Sequence, residues 1–117
     1  MPTLSVRIDL DGGERIGPGK IALLRAIDET GSISAAGRRL DMSYRRAWKL
    51  IEELNDSFTE PVVESQTGGK SGGGARLTEL GKNVVAHYTA IDTASQRAAT
   101  RHLSALQATV RRKGKTR

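Results

Sequence analysis

With 117 residues the chain is sized for one domain plus an appended arm, and only 3% of its residues are aromatic, so its core must be aliphatic and alanine-rich. It has no cysteine, which excludes disulfide scaffolds, thiol catalysis and cysteine-based zinc sites and suits a reducing cytoplasm. The net charge of +6 is uneven: residues 1–92 carry 12 bases and 13 acids, whereas residues 93–117 carry seven bases and no acid. The strong basicity therefore belongs to the tail, and the body has to be judged by local patches. No apolar run approaches the about 18 residues of a membrane span. Met1–Val6 lacks the basic and apolar regions of a signal peptide. The expectation is a cytoplasmic protein with no membrane partner.

Residues 3–10 alternate, with Leu4, Val6, Ile8 and Leu10 apolar, and predict a half-buried strand that ends at Asp11-Gly12-Gly13. Pro18 suits the first position of a helix whose face carries Ile21, Leu24 and Ile27, and Gly31 is its stop. Ser32 caps a short helix, Ile33 to Leu40, with Ile33, Ala36, Gly37 and Leu40 inward. Its small Ala35, Ala36 and Gly37 allow another helix to approach closely. After the tight connection Asp41-Met42, Ser43 caps a third helix, Tyr44 to Asp56, with Ala47, Leu50, Ile51 and Leu54 as its buried stripe. A hairpin follows: a strand from Val62 to Gln66, the run TGGKSGGG over 67–74, and a returning strand Ala75–Leu77. Thr78 caps a long helix that starts at Glu79 and reaches Leu106 or Val110. Residues 111–117 read as a disordered basic tail.

Two short helices joined by a three-residue turn make a helix-turn-helix, and a hairpin directly after them makes it winged. The fold class is mainly α with a small β component: a winged helix-turn-helix over 1–78 (motif 32–56, wing 62–78) and a long dimerisation helix over 79–110. The second helix of the motif, 43–56, is the expected recognition helix. Its exposed face would carry Ser43, Tyr44, Arg45, Arg46, Trp48 and Lys49. With Arg38 and Arg39 this gives five bases between residues 38 and 49 against one acid, Asp41. Arginines of this kind pair with guanine edges or clamp phosphates. The wing, 67–75, adds Lys70 near its tip and Arg76 at its base, for the backbone or the minor groove. Trp48 is divided between core packing and DNA contact.

These residues carry a resemblance. The stretches GSISAAGRRLDMSYRRAWKLIEELN (31–55) and VESQTGGKSGGGARLTELG (63–81) are similar to the N-terminal DNA-binding domain of ModE, the molybdate-responsive family of bacterial transcription regulators. The similarity covers residues 17–92. More distantly, the A-A-x-x-L pattern and the capped helix resemble the DNA-binding heads of LysR-type regulators. The resemblance implies a homodimeric winged-helix binder of double-stranded DNA, its dimer held partly by the long last helix and the N-terminal strand region. ModE proteins also carry C-terminal oxyanion-binding domains, for which this sequence has no room, so molybdate sensing is not expected of it.

Competing readings are weaker. Gly69-Lys70-Ser71 invites a P-loop, but that motif needs a glycine at position 64, which is Glu64, and a helix at the lysine, where more glycines follow. His87 and His102 are 15 residues apart on one helix, about 22 Å, and cannot share a metal within a chain. Glu52 and Glu53 point in different directions, and no nucleophile–base pair stands out. No enzyme activity, cofactor or metal is expected. The alternative from another class is a protein–protein adaptor that reuses the winged-helix fold.

Overall fold

A computed structural model describes residues 1–66 and 74–111. The core forms where three helices meet. Helix α1 (Pro18–Thr30) has proline at its start and ends at Gly31, whose left-handed φ of 72° lets its N–H reach the Ile27 carbonyl at 2.8 Å. Ile21, Leu24 and Ile27 are buried, as are Leu23 and Ala26. The burial spreads beyond one stripe because α1 is the central strut, packed by other elements on several sides.

Helix α2 (Ile33–Arg39) is capped by Ser32, whose hydroxyl accepts from the Ala35 N–H at 3.0 Å; Leu40 is its C-cap, one residue earlier than the sequence suggests. Helix α3 (Tyr44–Ser57) is capped in the same way, Ser43 accepting from the Arg46 N–H at 3.1 Å. Between them Asp41 turns the chain with φ 57°, and the Met42 N–H bonds the Gly37 carbonyl at 2.8 Å. A Cβ at Gly37 would sit 3.1 Å from the Met42 carbonyl and 3.7 Å from Ala47 Cβ, so the turn and α3 use the space the glycine leaves. Ala47, Ile51 and Leu54 are buried and Leu50 half-buried. Burying Ile51 and Leu54 contributes about 2 kcal/mol each.

The strands β3 (Val63–Gln66) and β4 (Gly74–Leu77) pair antiparallel with Val63 opposite Leu77. They start one residue later and one earlier, respectively, than expected. The expected wing tip, Lys70 included, lies within 67–73, outside the described residues. The Ala75 N–H donates to the Gly31 carbonyl at 3.0 Å and ties the hairpin to the α1–α2 junction. Helix α4 (Glu79–Ala108) begins at Thr78, whose hydroxyl accepts from the Gly81 N–H and donates to the Pro61 carbonyl. A Cβ at Gly81 would collide with the Val62 carbonyl, so only glycine lets the hairpin lie over the first turn of α4.

The N-terminal expectation needs correction. Burial does alternate along residues 4–8, but only Ile8–Asp9 (β1) is paired, with Arg15–Ile16 (β2), a strand absent from the sequence reading. Leu10 faces solvent. The segment before β1 lies along α4 instead. Tyr88 donates to the Val6 carbonyl at 2.7 Å, and Gln96 Nε2 donates to the Leu4 carbonyl at 2.8 Å. The apolar face of this segment thus covers a helix rather than belonging to a wider sheet. Burial, with the Asp92 charge, raises the Tyr88 pKa and keeps it a neutral donor.

The β1–β2 turn is anchored by Glu14, which accepts from Ser57 on α3 and from Lys20 Nζ at 3.1 Å on α1. Burial pushes its carboxyl pKa up, but the hydrogen bonds from Ser57 and Lys20, with the lysine's charge, outweigh this and hold it below the ordinary glutamate value.

Candidate nucleic-acid interface

The cap at Ser43 fixes where α3 begins and so which side chains face outward. With Ala47, Ile51 and Leu54 turned to the core, Arg45, Arg46 and Lys49 are exposed on the other side. Among the described residues, no carboxylate lies within ion-pairing distance of any of these three or of the exposed Arg38. They form an uncompensated positive strip.

Two other expected site residues are already partnered. Arg39 forms an ion pair with Glu29 at the end of α1. Arg76 pairs across the hairpin with Glu64 at 2.8 Å, as the strand register dictates. Both pairs are exposed, so they hold the guanidiniums only weakly and screen readily with salt.

Tyr44 is 54% exposed, and its ring meets that of Trp48 edge to face, with centroids 6.3 Å apart and planes at 78°. Trp48 is half-buried and packs against the core cluster, so it supports Tyr44 from below. Both rings line an open cleft of about 400 Å³ between α3 and the base of the hairpin.

The sequence reading missed Asn55. Its Oδ1 accepts from the N–H groups of Val62 and Val63 at 2.8 and 3.2 Å, and its Nδ2 donates to the Val63 carbonyl at 3.2 Å. One side chain thereby fixes the hairpin relative to α3. Only its position at the end of a helix before a hairpin hinted at this.

His87 and His102 are both exposed on α4. Among the described residues, no group of three or more histidines or carboxylates is placed to hold a metal ion. No helix among them is long and apolar enough to cross a membrane.

The sequence profile of the bacterial regulatory helix-turn-helix proteins of the lysR family matches residues 19–82, from α1 to the first turn of α4. The chain belongs to this lysR family. Among its relatives, the molybdenum-pterin-binding protein MopB of Rhodobacter capsulatus is 48% identical over 80 residues, 68% of this chain and 30% of MopB. The transcriptional regulator ModE of Yersinia pestis is 43% identical over 81 residues, 69% of this chain and 31% of ModE. The ModE resemblance carried by residues 31–55 and 63–81 agrees with these relatives. The chain spans about a third of the length of the curated relatives it matches. The CbnR DNA-binding domain, solved in complex with DNA, superposes with a TM-score of 0.58 at 20% identity, over 75% of this chain and 95% of that one. At that identity the likeness is one of fold.

Proposed function

We propose that this lysR-family chain is a sequence-specific transcription regulator that binds double-stranded DNA as a homodimer. Helix α3 enters the major groove, and the wing, 67–75, lies on the backbone or in the minor groove. The observation that carries the reading is the strip of Arg45, Arg46 and Lys49, exposed and uncompensated on the second helix of a helix-turn-helix. Arginine at such positions reads guanine or clamps phosphate. Tyr44, Trp48, Ser43, Arg38 and Arg39 flank the contact, with Lys70 and Arg76 on the hairpin side.

The dimer reading rests on the outer half of α4. Leu106, near the end of α4, and Val110, just beyond it, are 66% and 59% exposed. A second copy of the helix is the partner that would cover them. The same uncovered stripe is what favours an adaptor that binds another protein.

Selection from a random-sequence duplex pool, followed by titration of the enriched duplex at two salt concentrations, tests the proposal. A regulator enriches a two-fold motif and loses affinity steeply with salt. An adaptor enriches none. A truncation ending at Val110 keeps the exposed apolar residues and separates the helix-turn-helix from the basic tail. Specific binding that survives the truncation supports α3 as the reader, and binding that vanishes with it assigns the attraction to the tail.

A further inference from the structure

Among the described residues, the cleft between α3 and the hairpin is walled by neutral groups. Tyr44 and Trp48 form one side, Ser34 comes from α2, and Ser65 and Gln66 come from β3. Ser34, Ser65 and Gln66 are exposed, and among the described residues their side chains make no hydrogen bond within the protein. Close packing holds the cleft in shape. A Cβ at Gly74 would stand 3.0 Å from the Gly31 carbonyl, so β4 lies directly against the α1–α2 junction. Asn55 fixes the other end of the hairpin on α3.

A helix in a major groove and a hairpin beside it straddle one sugar–phosphate strand, because that strand separates the two grooves. Whatever lies between helix and hairpin faces the strand. We infer that this cleft seats the DNA backbone through uncharged donors, with Ser34 and Gln66 hydrogen-bonding one phosphate between the α3 contacts and the wing contacts. Hydroxyl and amide side chains are regular phosphate ligands, and they fix register without reading sequence. The inference rests on the DNA-binding reading and adds to it a division of labour: the cationic strip supplies the salt-dependent attraction, and the neutral cleft supplies positioning.

The two contributions separate by salt dependence. Each neutralised phosphate adds about 0.9 to the slope of log affinity against log salt, and a neutral hydrogen bond adds nothing. The probe is the duplex enriched by the parent protein, titrated between low and moderate KCl with the parent, with Ser34→Ala/Gln66→Ala, and with Arg45→Ala/Arg46→Ala. The neutral variant is expected to bind about tenfold more weakly at every salt concentration, with the slope unchanged. The arginine variant is expected to lose between about 1 and 2 from the slope.

A methylphosphonate scan of the duplex then locates the contact. The parent is expected to be sensitive at several phosphates per half-site, and the neutral variant to lose sensitivity at one of them while keeping it at those held by the cationic strip. A merely structural role for Ser34 and Gln66 would weaken binding without erasing sensitivity at a single phosphate. Unchanged affinity of the neutral variant, a reduced slope, or undiminished sensitivity at every phosphate each overturns the inference. Failure of the parent to enrich or bind any duplex overturns the DNA-binding reading itself, which is a different result.

Discussion

The two halves of α4 live under opposite conditions. The first three turns lie against the helix-turn-helix body, with Gly81 under the Val62 carbonyl and Tyr88 buried and bonded to Val6. Beyond Ile91 the helix keeps its regularity but little of it is covered, and Leu106 is left 66% exposed. A 30-residue helix is about 45 Å long, more than a small head can cover. The inner half is therefore held by the helix-turn-helix body and, as far as Gln96, by the N-terminal segment, whereas the end around Leu106 has cover only if another molecule provides it. In the proposed dimer the same sequence element contributes to folding at one end and to assembly at the other.

Substitutions break this comparison in graded steps. The largest effect is expected in the head. Leu54→Ala removes a fully buried side chain from α3 and should cost about 3 kcal/mol, read as a lower midpoint in urea unfolding. Next is Asn55→Ala, which strips the N–H groups of Val62 and Val63 of their acceptor. It should cost about 2 kcal/mol in the same measurement and weaken DNA binding by misplacing the hairpin.

In the outer half, Leu106→Asp with Val110→Asp should leave the fold of the head intact, with its circular dichroism unchanged. What it removes is association: sedimentation of the parent should report a dimer, and of the variant a monomer. The melting temperature of the parent should rise with protein concentration and that of the variant should not.

The smallest effect is at Glu14. Its carboxyl pKa is lower in the folded state than in the unfolded chain. The stability it adds is present above the ordinary glutamate pKa and is lost as the pH falls through the depressed folded value. Glu14→Gln should lower stability at neutral pH, and its difference from the parent should shrink as the solution is acidified through that window.

Much of this architecture was legible because its signals are local. The caps at Ser32, Ser43 and Thr78 and the stop at Gly31 each act within a few residues, and the apolar spacing of α1 and α3 reports burial directly. What escaped depends on contacts distant in sequence. Alternation over residues 3–10 shows that one face is covered, but not that the cover is α4, more than 80 residues away. Asn55 looks like any helix-terminal amide until Val62 is folded back onto it. Gly81 stands near the start of a helix, and nothing local shows that its lack of a Cβ is what lets the hairpin pass.

The candidate site was legible to a similar degree. Arg45, Arg46 and Lys49 follow from the cap and the stripe. The pairing of Arg39 with Glu29 and of Arg76 with Glu64 does not, because each carboxylate sits on a different element from its partner.

The most direct test of the central claim is titration of the selected duplex with Arg45→Ala/Arg46→Ala beside the parent. Both side chains are exposed and unpaired among the described residues, so the variant should melt like the parent and remain a dimer. The account expects the preference for the selected duplex over an unrelated one to be lost, leaving only weak salt-dependent binding, while folding and association are kept. A variant that binds the selected duplex as tightly as the parent would contradict the assignment of α3 as the element that reads DNA.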